Sequence, residues 1–149
     1  SRWAWELRER RDGRLPEFDL GAAVVSAEIV RSLVSEDRIA AVHDVGEGGV
    51  AVALAEMAVA YGVGVTVDGY DDARSLFNEV AGRYVVACSP DGVDALVADV
   101  EGAGGTATVV GTTGGDRVQI GPIDLDVAEV SASWRDELPT ALGQGTVSA

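Results

Sequence analysis

The stretch that most limits how this chain can fold is His43-Asp44-Val45-Gly46-Glu47-Gly48-Gly49, together with the apolar run that follows it, residues 50–61. That run contains one charge, Glu56, and small or branched apolar residues almost everywhere else. A helix that apolar is stable only when covered on most sides. Val50, Leu54, Met57, Ala58 and Tyr61 share one face of it, and Gly62 ends it. The residues ahead of it, 39–44, read as a strand, and the glycines at 46–49 read as the pivot between the two. A strand that turns sharply into a buried helix requires a sheet with helices packed on it.

Composition permits such a core and narrows the partners. The 149 residues are one domain's worth, 47% of them hydrophobic and 5% aromatic, so the core is built from valine, alanine and leucine. Eleven basic residues, all arginine, face 25 acidic ones, giving a net charge of −14. That balance speaks against nucleic acid and against anionic membrane surfaces, both of which attract basic faces. Cys88 is the single cysteine, which excludes an internal disulfide, and its apolar strand predicts a buried, inert thiol. No apolar run approaches the ~18 residues of a membrane span. Ser1-Arg2-Trp3 carries neither an initiator methionine nor a signal pattern, so the chain reads as a piece of a longer polypeptide.

Periodicity supplies the remaining elements. Residues 1–18 form a polar, arginine-rich opening segment in which Trp3, Trp5 and Leu7 can pack. Asp19 caps a helix with Ala22, Val25, Ile29 and Leu33 on one face. Val63, Val65 and Val67 alternate as a strand, 71–79 form a short helix or turn, and 83–88 form another strand. Ser89-Pro90 opens a helix carrying Val93, Leu96, Val97 and Val100. Thr106–Val110 and Arg117–Ile120 are expected to pair as a hairpin around Gly114-Gly115-Asp116. Asp126 and Glu129 form an acidic capping box for a last helix with Val127, Val130, Trp134 and Leu138 inside and Pro139 beyond its end. The expected class is α+β or α/β, a mixed β-sheet packed with helices. One domain spans 19–142, and 143–149 are expected to form a flexible tail.

Three segments could carry chemistry. In the first, Gly46, Gly48 and Gly49 allow close backbone approach, and free N–H groups at a helix start favour an anion. His43, Asp44 and Glu47 could orient a substrate or hold a hydrated cation, although the two carboxylates repel an anion unless magnesium lies between. A tight turn explains the same glycines. One histidine with no cysteine nearby does not make a zinc site. In the second, Asn78, Glu79 and Arg83 lie between a short helix and a strand, where Arg83 could pair with Glu79 or with a phosphate. Residues 111–115, Gly-Thr-Thr-Gly-Gly, resemble a phosphate loop in composition but lack its lysine.

These segments carry a resemblance. His43-Asp44-Val45-Gly46-Glu47-Gly48-Gly49-Val50, running on to Ala55-Glu56-Met57, resembles the His-Asp-Val-Ser-Asp-Gly-Gly-Leu…Ala-Glu-Met segment of the phosphoribosylformylglycinamidine synthase family. Leu76-Phe77-Asn78-Glu79 with Gly82-Arg83 is similar to that family's Leu-Phe-(Ser/Asn)-Glu-Ser-x-Gly-Arg. Trp5-Glu6-Leu7, Pro16-Glu17-Phe18-Asp19-Leu20 and the closing Val127–Pro139 stretch resemble the flanks of the last domain in its synthetase subunit. The resemblance runs in order along nearly the whole chain.

It implies the AIR synthase-related C-terminal domain fold, in the second of two copies. It further implies an enzyme of the cytoplasm that uses ATP and magnesium to activate formylglycinamide ribonucleotide, after which ammonia from a glutaminase displaces phosphate. The partners implied are the preceding domains of the same subunit, a glutaminase (PurQ-type) subunit and a small (PurS-type) subunit. Ligand-binding positions carried over are His43, Asp44, Gly46, Glu47, Gly48, Gly49, Asn78, Glu79, Val80 and Arg83, with no catalytic residue and no metal ligand among them. Gly46 and Val80 stand where serine is usual, and Glu47 where aspartate is usual. The lost hydroxyls favour a structural or auxiliary-nucleotide role over direct catalysis. The alternatives are another enzyme of the superfamily, such as AIR synthase or selenophosphate synthetase, or a non-catalytic interaction module.

Overall fold

A computed structural model describes residues 1–14 and 16–143. The elements are α1 (Arg2–Arg8), α2 (Leu20–Ser35), β1 (Ala41–Asp44), α3 (Gly49–Tyr61), β2 (Val65–Val67), α4 (Ala73–Leu76), β3 (Tyr84–Ala87), α5 (Val93–Gly102), β4 (Gly111–Thr113), β5 (Arg117–Ile120), β6 (Ile123–Asp126) and α6 (Val127–Ala141). A 3₁₀ turn, Pro90–Gly92, leads into α5. The tail expected over 143–149 lies, from 144 onward, outside the described residues.

The local signals act as their chemistry dictates. The Asp19 carboxylate accepts the Ala22 N–H and starts α2. Asp72 and Ser75 form a reciprocal capping box at α4. α3 starts and stops on left-handed glycines, Gly48 and Gly62. Its buried arc runs through Val50, Ala53, Leu54 and Ala58, while Tyr61, expected on the inner face, is exposed on the last turn.

The strands divide between two sheets. β1 and β3 pair antiparallel, with His43 opposite Val85 and Asp44 opposite Tyr84. The second sheet has the order β4-β2-β5-β6, in which β2 and β5 run parallel and the other pairs antiparallel. The expected 106–110/117–120 hairpin does not form. β4 is instead Gly111–Thr113, and β2 lies between it and β5. Gly64 exchanges hydrogen bonds with Gly114 and Gly115 at 2.8 and 2.9 Å, which seats β2 in that slot. Val65 then lies beside Val118, and Val67 beside Ile120, all four buried. The hairpin partner of β5 is β6, a strand that sequence reasoning left unassigned.

The last helix also departs from expectation. Asp126, expected as the cap of α6, is the last residue of β6, where pairing with β5 places it opposite Arg117, whose guanidinium it meets at 3.0 Å. Asp124 binds the same guanidinium at 2.6 Å, and the Val127 N–H donates to the Asp116 carbonyl. Pro139 lies inside α6. Val127 is buried and Val130 packs against the core, but Trp134 is exposed. The side chain of Leu138, the fourth residue of that face, is outside the described set.

The main core gathers α3 with Val45, Leu76, β2, β5 and Val127. A smaller cluster of Leu33, Leu96 and Val100 joins α2 to α5. Cys88 packs against this second cluster and is half-buried, not fully buried.

Candidate functional site

Two sequence segments distant along the chain meet at the start of α3. β1 carries His43 and Asp44 to its end, and the Val45 N–H donates to the Arg83 carbonyl at 2.9 Å, tying the turn to the second segment. Gly46 accepts the Gly49 N–H at 3.1 Å, closing the pivot. Gly48 and Gly49 both have positive φ, 83° and 67°. At Gly48 an added Cβ would strike Val52, and at Gly49 it would lie 2.6 Å from the Leu76 carbonyl oxygen. The glycines therefore serve backbone conformation and close packing together.

That packing brings Glu79 to the helix start. One carboxylate oxygen, Oε1, accepts the Gly48 N–H at 3.1 Å and the Arg2 N–H at 2.7 Å. One of the N–H groups at the helix start, that of Gly48, thus holds the protein's own carboxylate, as the positive end of a helix prefers. Arg83 does not pair with Glu79. Its guanidinium donates to the carbonyl oxygens of Asn78 and, at 3.3 Å, Val80, and so clamps the 78–80 loop.

The remaining candidates lie at the rim. His43 Nε2 is 3.1 Å from the Glu56 carboxylate on α3, and Nδ1 is 2.7 Å from the Asp44 carbonyl oxygen, so the ring bridges β1 and α3. The Asp44 side chain is 74% exposed and that of Glu47 70% exposed, the latter paired with Arg2 at 2.8 Å. Asn78 is exposed and Val80 half-buried. Among the described residues, no group of three or more histidine, cysteine, aspartate or glutamate side chains is placed to hold a metal ion.

Comparison with known proteins places this architecture. A family profile described as "AIR synthase related protein, C-terminal domain" matches residues 19–121. The chain belongs to this family.

As an AIR synthase-related C-terminal domain it has long curated relatives. Phosphoribosylformylglycinamidine synthase subunit PurL of Brucella ovis and its counterpart in Brucella suis biovar 1 are each 36% identical over 137 residues, 90% of this chain. The chain spans 18% of the length of those relatives. Solved structures share the fold. Thermotoga maritima PurL complexed with FGAR superposes with a TM-score of 0.70 at 19% identity, over 87% of this chain and 24% of that one. The same organism's PurL complexed with ATP gives 0.67 at 20% identity, over 81% and 23%. Its PurLQS structure gives 0.68 at 19%, over 87% and 24%.

Within this AIR synthase-related domain, four residues shape the site in ways the sequence did not foretell: Arg2, which nothing singled out, and Trp3, Glu56 and Phe77, which were named without their contacts. Glu56 was legible as the only charge in an apolar helix. Arg2 and Trp3 also have near neighbours, Glu6 and Arg8, but their contacts to the site lie more than forty positions away, at Glu47, Phe77 and Glu79.

Proposed function

We propose that this chain is the C-terminal domain of the second half of a phosphoribosylformylglycinamidine synthase synthetase subunit. The whole enzyme converts formylglycinamide ribonucleotide and glutamine-derived ammonia to the amidine, in the cytoplasm, with ATP and magnesium. Its partners are the preceding domains of the subunit, a PurQ-type glutaminase and a PurS-type small subunit. The observation that carries this reading is the 36% identity to PurL subunits along 90% of the chain, which contains both the glycine-turn and the Leu-Phe-Asn-Glu segments. The Thermotoga maritima PurL structures complexed with FGAR and with ATP, and its PurLQS structure, support the ligands and partners by analogy.

Within that enzyme the domain's role is chiefly structural. Of the donors that could serve a nucleotide phosphate, two are engaged within the protein and one kind is missing. Gly48 N–H is bound by Glu79, Arg83 is bound by loop carbonyls, and the chain has no lysine. The residues present therefore fit ATP and magnesium poorly. The second reading, an auxiliary nucleotide pocket over His43, Asp44, Gly46–Gly49 and Asn78–Arg83, requires Glu79 to release Gly48. The complete protein, assayed with ATP, formylglycinamide ribonucleotide and ammonia, is expected to form the amidine, while the 149 residues alone form none. A folded complete protein without turnover, or turnover by the isolated chain, would overturn the reading.

A further inference from the structure

Helix α1 contains no buried residue, yet it is fixed to the body at several points. The Trp3 ring stacks on Phe77 with centroids 5.8 Å apart and planes 6° from parallel. The Arg8 guanidinium lies 5.4 Å from the Trp3 ring centroid. The Arg2 guanidinium reaches Glu47 at 2.8 Å. Most telling, the Arg2 main-chain N–H and the Gly48 N–H bind the same oxygen of Glu79.

We propose that α1 is a strap latched over the glycine turn, with Glu79 as the shared latch, so that lifting α1 and loosening the start of α3 are one event. When Arg2 leaves, the carboxylate loses one of its two donors. It also gains water and rotamer freedom, and its hold on Gly48 weakens. Phe77, the stacking partner of Trp3, is also the residue whose backbone packs against Gly49, so the aromatic contact bears on the same joint. The device rests on these contacts alone and does not depend on what the whole protein catalyses.

Arg2 occupies the first position of α1, where proline is compatible with helix geometry but donates no N–H. Arg2→Pro therefore removes both the guanidinium and the main-chain donor, whereas Arg2→Ala removes only the guanidinium. Hydrogen exchange by mass spectrometry on the complete protein reads peptides spanning 2–8, 46–50 and 117–120. Arg2→Pro is expected to raise exchange in 2–8 and 46–50 together, by about fivefold or more, as loss of one hydrogen bond implies. Arg2→Ala is expected to raise it less in 46–50, and the 117–120 strand keeps its protection in both. If Arg2→Pro disturbs that strand, Trp3→Ala carries the same comparison. Free exchange in 2–8 with 46–50 unchanged, or no change in 2–8 for any variant, would overturn the proposal.

Discussion

A Cβ added to Gly49 would lie 2.6 Å from the carbonyl oxygen of Leu76, closer than packed atoms tolerate. With φ at 67° as well, Gly49→Ala strains the backbone and pushes α3 off the Leu76–Phe77 segment. We expect it to cost upward of ~2 kcal/mol, and Gly48→Val a similar amount. Val80→Ser, at a half-buried loop position, is expected to cost less than about 1 kcal/mol. Denaturant midpoints measured side by side check the order, and equal midpoints would refute the packing argument.

His43 and Glu56 join β1 to α3 across 3.1 Å, with both side chains about one-third exposed. A pair so placed is worth roughly 0.2–1 kcal/mol. A double-mutant cycle with His43→Gln and Glu56→Gln is expected to return a coupling in that range. A coupling above about 2 kcal/mol would point to a dry, strongly held pair that this exposure does not support.

Twenty-five carboxylates against eleven arginines leave the folded chain repelling itself. Sodium chloride raised from about 20 mM to about 0.5 M shortens the screening length from roughly 20 Å to 4 Å. We expect the melting temperature to rise by several degrees. A fall would mean that pairs such as Arg38–Asp99 and Arg117–Asp124 outweigh the repulsion.

The Ser75 N–H, donating to Asp72 at 2.8 Å, holds that carboxyl below its ordinary value of 3.8. A depressed folded-state value contributes stability that is present above the ordinary carboxylate range and lost as pH falls through the folded value. Asp72→Asn keeps a capping side chain but has nothing to protonate. The difference in stability between about pH 6 and about pH 3 is expected to narrow in this variant. A wider difference would contradict the assignment.

What the sequence disclosed follows the range of the forces involved. α2, α3 and α4 were legible because Asp19, the 46–49 glycines and the 71–79 turn signal act within a few residues of the element they start. The site's two segments were legible as segments, but not their joint, which depends on Glu79 crossing 31 residues to Gly48. The hairpin expectation failed because it assumed a neighbour in sequence, whereas Gly64 brings β2 between β4 and β5 from fifty residues upstream. β6 did carry a signal, the alternating Ile123-Asp124-Leu125-Asp126 after Gly121-Pro122, but its last aspartate also fits a helix cap. The pairing with Arg117 is what shows its place at the end of a strand. α1 has no fully buried residue, and although Trp3 was legible as a packing residue, what it packs on was not. Its anchors, Phe77 and Glu79, belong to another part of the chain.

The central claim is that Glu79 engages its carboxylate at the head of α3 and so serves architecture rather than chemistry. The most direct measurement compares Glu79→Gln with the unaltered complete protein, recording melting temperature and kcat/KM for amidine formation on the same samples. We expect a melting temperature lower by a few degrees, with kcat/KM, taken well below melting, held within about threefold. An unchanged melting temperature with kcat/KM down about a hundredfold or more would contradict it, and would place the carboxylate among the groups that act on substrate.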